Sequence, residues 1–317
     1  MVLTPGLSHS MQPMIESIQR GAKKGADACR LFHGRGHCYP GLEFVSVDWF
    51  SPVVLISLYK EPEAQWLKQL ANEITQFASD QAIENILLQH RYIKGAPSEN
   101  LKGEIAGDYY AVEKGLKFKL NFKANQNVGF FLDMDNCRQV LREQAKDKRV
   151  LNLFAYTCAF SVVAAEAGAE KVVNVDMAKG ALNTGRLNHQ LNDIDSRSIS
   201  YLSHDIFKSW GKIRKYGPYD LIIIDPPSFQ AGSFNVRKDY QKIVSKLPGL
   251  LAPQAQVIAC LNSPDLSFDF LRELFKEVDG FVERNVIEPP QSFAESDANR
   301  GLKTLLFEKN TKYQDWH

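Results

Sequence analysis

Several features are missing from this chain, and each absence removes a class of protein. It has no run of about 18 uncharged apolar residues, the length a membrane-spanning helix needs, and its first residues, MVLTPGLSHS, lack the basic-then-apolar layout of a secretory signal. A cytoplasmic protein is expected. Its five cysteines, Cys29, Cys38, Cys137, Cys158 and Cys260, are scattered with no CxxC pair, which suits reduced thiols better than a disulfide framework or a zinc site. No metal role is expected. Charge of one sign is missing too: Lys and Arg number 38 against 37 Asp and Glu, a net charge of +1, so composition as a whole points to no polyanionic partner. Internal repeats and low-complexity tracts are also absent.

The charge is unevenly spread. Residues 1–40 carry Arg20, Lys23, Lys24, Arg30 and Arg35 against Glu16 and Asp27, with His33 and His37 nearby. Such a segment is either an ordinary solvated face or an arm that contacts phosphates.

What is present is a chain of 317 residues, 44% hydrophobic and 24% charged, enough for about two domains. From Val150 onward, short apolar runs alternate with longer helical patterns, the signature of a parallel α/β sheet. Strands are expected at 150–155, 171–176, 199–202, 221–224, 256–262, 282–287 and 302–309, and helices at 161–167, 178–192, 206–215, 236–251 and 268–278. Two strands after the last helix distinguish this order from a nucleotide fold of two equal halves. Upstream, 42–47 and 53–59 read as a strand pair followed by a helix from Pro62 to about Phe77. The polar, Gly- and Pro-bearing stretch 94–107 reads as a linker. The expected division is a small α+β domain over 1–105, which carries the candidate phosphate-contacting arm, and a Rossmann-like seven-stranded domain over 106–317, opened by a hairpin at 111–122 and a helix capped by Asp133 or Asp135.

The chemistry concentrates at strand ends. Leu221 to Ile224 runs straight into Asp225-Pro226-Pro227-Ser228-Phe229. Four aliphatic residues in a row suit a strand covered on both faces, and open α/β sheets place ligands beyond the carboxyl ends of their strands. The two prolines lack N–H groups and fix φ, leaving a stiff loop with outward carbonyls able to hold an amino group. The turn after the first strand, Asn152-Leu153-Phe154-Ala155-Tyr156-Thr157-Cys158-Ala159-Phe160-Ser161, is not GxGxxG. Without those glycines the backbone cannot closely approach a pyrophosphate, so a cofactor without phosphates is preferred, S-adenosylmethionine being one. Asp176 ends the second strand where a carboxylate can accept both ribose hydroxyls, and Met177 could cover adenine. Asp205 after the third strand supplies an acceptor for the adenine amino group, with Ile206 as an apolar neighbour. Each acid taken singly is more often a helix cap. Three on successive strands favour a ligand site.

FAYTCAFS, NVDMAKGAL and IDPPSF, with Asn127 to Asp133 (NVGFFLD) upstream, resemble the class I S-adenosylmethionine-dependent methyltransferases of the bacterial large-subunit ribosomal RNA group, the RlmI and RlmK type. The resemblance spans roughly 106–317, and RLFHGRGHCYPGLE (30–43) is similar to the small domain that precedes the catalytic domain in that group. It implies that Phe131 and Asp133 close over the cofactor. It also implies that residues from Asn152 to Ser161, Phe154, Ala155, Tyr156 and Thr157 among them, flank its methionine part. Asp176 and Asp205 would hold ribose and adenine, and Asp225 would face the methyl group.

A base in a duplex cannot reach such a site, so the target nucleotide of an RNA substrate would be single-stranded or flipped out, with Phe229 either stacking on it or covering the loop. The strand end Val257 to Ser263 bears on the receiving atom. Cytosine C5 needs a cysteine thiolate adding to the ring. Strand register puts Asn262 at the position where the family's cytosine-C5 members carry that cysteine, and Cys260 within the strand. An exocyclic amine, guanine N2 above all, is therefore expected, with cytosine C5 as the alternative. A dinucleotide oxidoreductase and a cofactor-binding RNA-binding protein without activity are the competing classes. Either a monomer or a homodimer fits the sequence.

Overall fold

A computed structural model describes residues 11–21, 25–77, 79–80, 82–123, 127–230 and 233–310; Lys23 and Lys24 of the basic segment lie outside them. The chain forms two compact units: Met1–Leu132 with Gln291–Ser296, and Asp133–Pro290 with Asp297–His317. No helix among the described residues is long and apolar enough to cross a membrane.

The first unit is built on a five-stranded sheet in the order β1 (Cys29–His33), β2 (Val45–Phe50), β3 (Val53–Leu58), β4 (Asn85–His90), β5 (Ser98–Lys102). Neighbours are antiparallel except β3 and β4, which run parallel. Helix α1 (Gln12–Gly21) contributes Met14, Ile15 and Ile18, and α2 (Ala64–Ile74) contributes Leu70 and Ile74, to a core completed by Val45, Val47, Trp49, Val54, Ile56, Ile86 and Leu88. The stretch expected as a linker holds β5 instead. Its sequence, SENLK, reads as a loop because an edge strand with this much exposure has no need of apolar alternation. Lys102 anchors it by donating from Nζ to the carbonyls of Phe77, Asp80 and Ile83. The hairpin β6 (Tyr109–Glu113) and β7 (Leu116–Leu120) belongs to this unit, because Ala28 N donates to Val112 O (2.7 Å) and Asp27 bridges Val112. The division therefore falls at Leu132, past the expected 105/106 boundary.

In the second unit, β8 (Arg149–Leu153), β9 (Lys171–Asp176), β10 (Ile199–Ser203), β11 (Tyr219–Ile224), β14 (Leu251–Leu261), β15 (Phe281–Val286) and β16 (Lys303–Lys309) form one sheet, with β12 (Phe229–Gln230) and β13 (Phe234–Asn235) pairing separately. The order is β10-β9-β8-β11-β14-β16-β15, parallel except for β16, which runs antiparallel to both its neighbours. Strand parity divides the core. Leu151, Leu153, Ile222, Ile224, Val257 and Ala259 pack on Ile213 of α6 (Trp210–Arg214), Tyr240 and Ile243 of α7 (Val236–Val244) and Leu271 of α8 (Phe268–Lys276). Val150, Leu221, Ile223, Ile258 and Cys260 face Cys137 and Leu141 of α3 (Asp135–Gln144) and Phe160 and Ala164 of α4 (Ala159–Glu166). Ile222, Ile223 and Ile224 are fully buried, each contributing about 1.5–3 kcal/mol by leaving water. Helix α5 (Lys179–Leu191) crosses from β9 to β10.

Two expected helices are shorter. The stretch 206–215 splits into a 3-10 turn at Ile206–Lys208 and α6. The stretch 236–251 stops at Val244, and Pro248 sits in a separate 3-10 turn, Leu247–Gly249, since proline has no N–H to continue a helix.

Candidate active site

The strand order reverses direction between β8 and β11, the switch point where the loops that follow two adjacent strands diverge and leave a crevice. Asp225 follows β11 directly at that end. It is half-buried, and burial first, the carboxylate of Asp133 second, push its pKa from 3.8 up to about 7, with Arg138 opposing both. Arg138 is 2% exposed and escaped the sequence reading. Its signal was there: Met134, Cys137, Arg138 and Leu141 fall at the i, i+3, i+4, i+7 spacing of an inward helix face, where a cation needs a reason to be.

The rest of the loop is tied down on both sides. Ser228 Oγ donates to Asn262 O beyond β14, and Val236 N donates to Ser228 O (3.2 Å). Phe229 pairs with Asn235 across the β12–β13 hairpin and stays 67% exposed, so it is no core residue. Asn262 is exposed at the end of β14, whereas Cys260 is fully buried, with its thiol pKa raised by a hydrogen bond with Cys137, by burial and by the nearby Asp225. A thiol of that kind is inert as a nucleophile.

The turn after β8 has an unusual backbone. Phe154, Tyr156 and Cys158 have φ of 58°, 46° and 63°, so left-handed residues alternate through five positions without a glycine. Left-handed geometry is unfavourable for bulky residues and persists only where the surroundings impose it, most often at functional sites. Here the surroundings are visible: Ala155 N donates to Val175 O (3.1 Å), Cys158 N to Ala155 O (2.7 Å), and Tyr156 N to Asp176 Oδ2 (2.8 Å). Asp176 also accepts from Ala178 N through Oδ1 (2.7 Å). Two backbone donors thus hold the carboxylate at the end of β9, beside Met177, which is 47% exposed. Asp205 accepts from Phe207 N (2.9 Å) and caps the turn after β10, next to the buried Ile206. Ala155 and Thr157 are buried in the turn. Phe131 is 41% exposed and belongs to the first unit, two residues before Asp133 in the chain.

Two of the residues expected to flank the cofactor are sealed from solvent. Asn152 and Ser161 are 1% and 0% exposed and belong to a buried polar chain. Asn152 Nδ2 donates to Asn174 Oδ1 (3.0 Å), Asn174 Nδ2 to Ser161 Oγ (2.9 Å), and Ser161 Oγ bonds His189 Nε2 (2.9 Å). The physical reason is parity: Asn152 shares the face of Val150, toward α3 and α4, and not the open strand end. Phe234 was missed. It is 3% exposed and packs on Phe154 (5.1 Å between centroids, edge-on) and Phe207 (6.2 Å, stacked), joining the Asp225 hairpin to the turns after β8 and β10.

Comparison with known proteins accords with this geometry. Residues 29–308 match the model of the S-adenosylmethionine-dependent methyltransferase family. The ribosomal RNA large subunit methyltransferase K/L of Shewanella frigidimarina is 29% identical over 280 residues, 84% of this chain and 39% of that protein. Its counterpart in Shewanella sediminis is 32% identical over 260 residues, covering 78% of this chain and 36% of the relative. The chain thus spans well under half the length of the curated relatives it matches. Among solved structures, a protein described as a methyltransferase complexed with SAH superposes with a TM-score of 0.82 at 26% identity, covering 96% of this chain and 83% of that one. On the match over residues 29–308, the chain belongs to the S-adenosylmethionine-dependent methyltransferases.

Proposed function

We propose that this enzyme methylates an exocyclic base amine of RNA, guanine N2 of 23S ribosomal RNA in particular, and that it does so in the cytoplasm. The observation that carries the reading is the Asp225 carboxylate at the end of β11, ahead of Pro226-Pro227 and next to an exposed Phe229. The RNA substrate rests on similarity to the large-subunit K/L methyltransferases.

The side chains present suit a cofactor without phosphates. No Lys or Arg stands among residues 152–161, while carboxylates end β9 and follow β10. Asp176, oriented by its two backbone donors, would take the ribose hydroxyls, Met177 and Ile206 would flank adenine, and Asp205 would accept from its amino group. Asp133, Phe154, Ala155, Tyr156 and Thr157 would line the methionine end. Bound S-adenosylmethionine supplies an electrophilic methyl group on a sulfonium. The Asp225 carboxylate and the Pro226 carbonyl would accept the hydrogens of the amine and turn its lone pair toward that methyl, so catalysis is mostly positioning. Phe229 would stack on the base once it has left the duplex, offsetting part of the unstacking cost of a few kcal/mol. The ionised form of Asp225 is the competent acceptor.

Cytosine C5 is the weaker reading because Cys260 is sealed inside the sheet. A cofactor-binding protein without activity is disfavoured by the intact Asp225-Pro226-Pro227 loop. The test is transfer of labelled methyl groups to large-subunit ribosomal RNA by wild type and Asp225→Ala: wild type transfers, and the variant binds S-adenosylmethionine but does not transfer. A variant that still transfers would remove Asp225 from the mechanism.

A further inference from the structure

The first unit carries a cluster of cations that the chemistry above does not use. Strands β1, β3 and β4 run in the same direction, since β1 and β3 are each antiparallel to β2 and β4 is parallel to β3. Each delivers one residue just past its carboxyl end: Arg35 after β1, Tyr59 after β3 and Arg91 after β4. They converge. The Arg35 guanidinium lies over the Tyr59 ring at 4.0 Å from its centroid, and that of Arg91 lies at 5.2 Å. Arg35 is held by tight packing of its neighbours: a Cβ on Gly34 would meet Leu42 O at 1.8 Å, and one on Gly36 would meet Ala294 O at 2.0 Å. Only glycine fits on either side.

The nearby acids are already engaged. Asp48 pairs with Arg30, which also donates to His33 Nδ1 (2.6 Å), and His33 Nε2 donates to Glu295 (3.1 Å). Burial, then Arg30 and Arg35, hold the His33 pKa down to about 3, so the imidazole is neutral and serves as a bridge. Among the described residues neither Arg35 nor Arg91 has a carboxylate partner within ion-pair distance. Arg91 makes one long bond to Asn127 Oδ1 (3.4 Å), and its Nε is buried with no acceptor among the described residues. Burial alone would raise the Tyr59 phenol, yet Arg91, Arg30 and Arg35 together hold its pKa below the ordinary value, a sign of concentrated positive potential. A guanidinium stacked on an aromatic face keeps its N–H edge open for two parallel bonds to an oxyanion.

We infer that Arg35, Tyr59 and Arg91 form an anion subsite that takes one phosphate of an RNA backbone; the inference rests on the proposed RNA substrate and says where the first unit would grip it. The test is fluorescence anisotropy of a labelled single-stranded RNA with the full chain, over a range of salt concentrations. The double variant R35Q/R91Q is expected to bind about tenfold more weakly and to lose about 0.7 from the slope of log K against log salt, the value for one phosphate on a single strand. Arg20→Gln removes a cation of the same unit that is exposed and lies 3.9 Å from Glu16, and should bind as wild type does. S-adenosylmethionine affinity, measured calorimetrically, should match wild type in both variants. A double variant with wild-type affinity and slope overturns the subsite, as does a wild type that binds no RNA. Methyl transfer by wild type to ribosomal RNA is read separately. Transfer without arginine-dependent binding sinks the subsite and leaves the activity standing; arginine-dependent binding without transfer does the reverse.

Discussion

The role proposed for Asp225 combines two demands that pull against each other. Accepting amine hydrogens needs the ionised carboxylate, while burial and the neighbouring Asp133 favour the protonated one, bringing its pKa to about 7. The value of kcat/KM for S-adenosylmethionine should therefore rise as pH passes through about 7, and Asp133→Asn should move that midpoint down; a profile flat from pH 6 to 8 would contradict the assignment. The sign for stability is the opposite. With a folded pKa above the unfolded 3.8, the native state favours the proton, so the contribution is full below the unfolded value and is lost as pH rises through about 7. Asp225→Asn mimics the protonated form. It should melt above wild type at pH 8 and alongside it near pH 4, while transfer falls by about a hundredfold or more. Cys260→Ala separates the two target atoms. With the thiol sealed in β14, transfer should stay near wild type and stability should drop by about 1–2 kcal/mol; a variant that folds but has no activity would restore the cytosine-C5 route. Arg138 could have been suspected from the helical spacing of α3, but its closeness to Asp225 could not, because the two are far apart in sequence and meet only through the packing of α3 on the sheet.

Among the elements, those of the second unit were largely readable. A strand buried on both faces, such as β11, must be a continuous aliphatic run, and β9 was expected over the residues it occupies. The first unit hides β1 and β5 because edge strands are half-exposed, with burial confined to one residue in CRLFH and none in SENLK. Asn152 and Ser161 join a buried polar chain that the order of residues along the loop does not reveal, because parity sends Asn152 to the α4 face. The hairpin β12–β13 shows how one side chain links three turns. Truncating Phe234 to Ala removes its contacts with Phe154 and Phe207, and should cost about 3 kcal/mol in denaturant unfolding and weaken S-adenosylmethionine roughly tenfold. Unchanged cofactor affinity in a destabilised variant would reduce Phe234 to a core residue.

At the level of the whole molecule, the division at Leu132 was not readable from composition, since the bridge from Asp27 to Val112 and the return of 291–296 to the first unit are long-range pairings. The absence of a glycine fingerprint after β8 was informative, because three left-handed non-glycine residues there build a different kind of turn. S-adenosylmethionine at a hundredfold excess over its dissociation constant should stabilise the protein by about 2.7 kcal/mol, and NAD should not. The most direct test of the account is nucleoside mass spectrometry of large-subunit ribosomal RNA after incubation with the purified protein and methyl-labelled S-adenosylmethionine. The account predicts label in N2-methylguanosine; label in 5-methylcytidine, or none in any nucleoside, would contradict it.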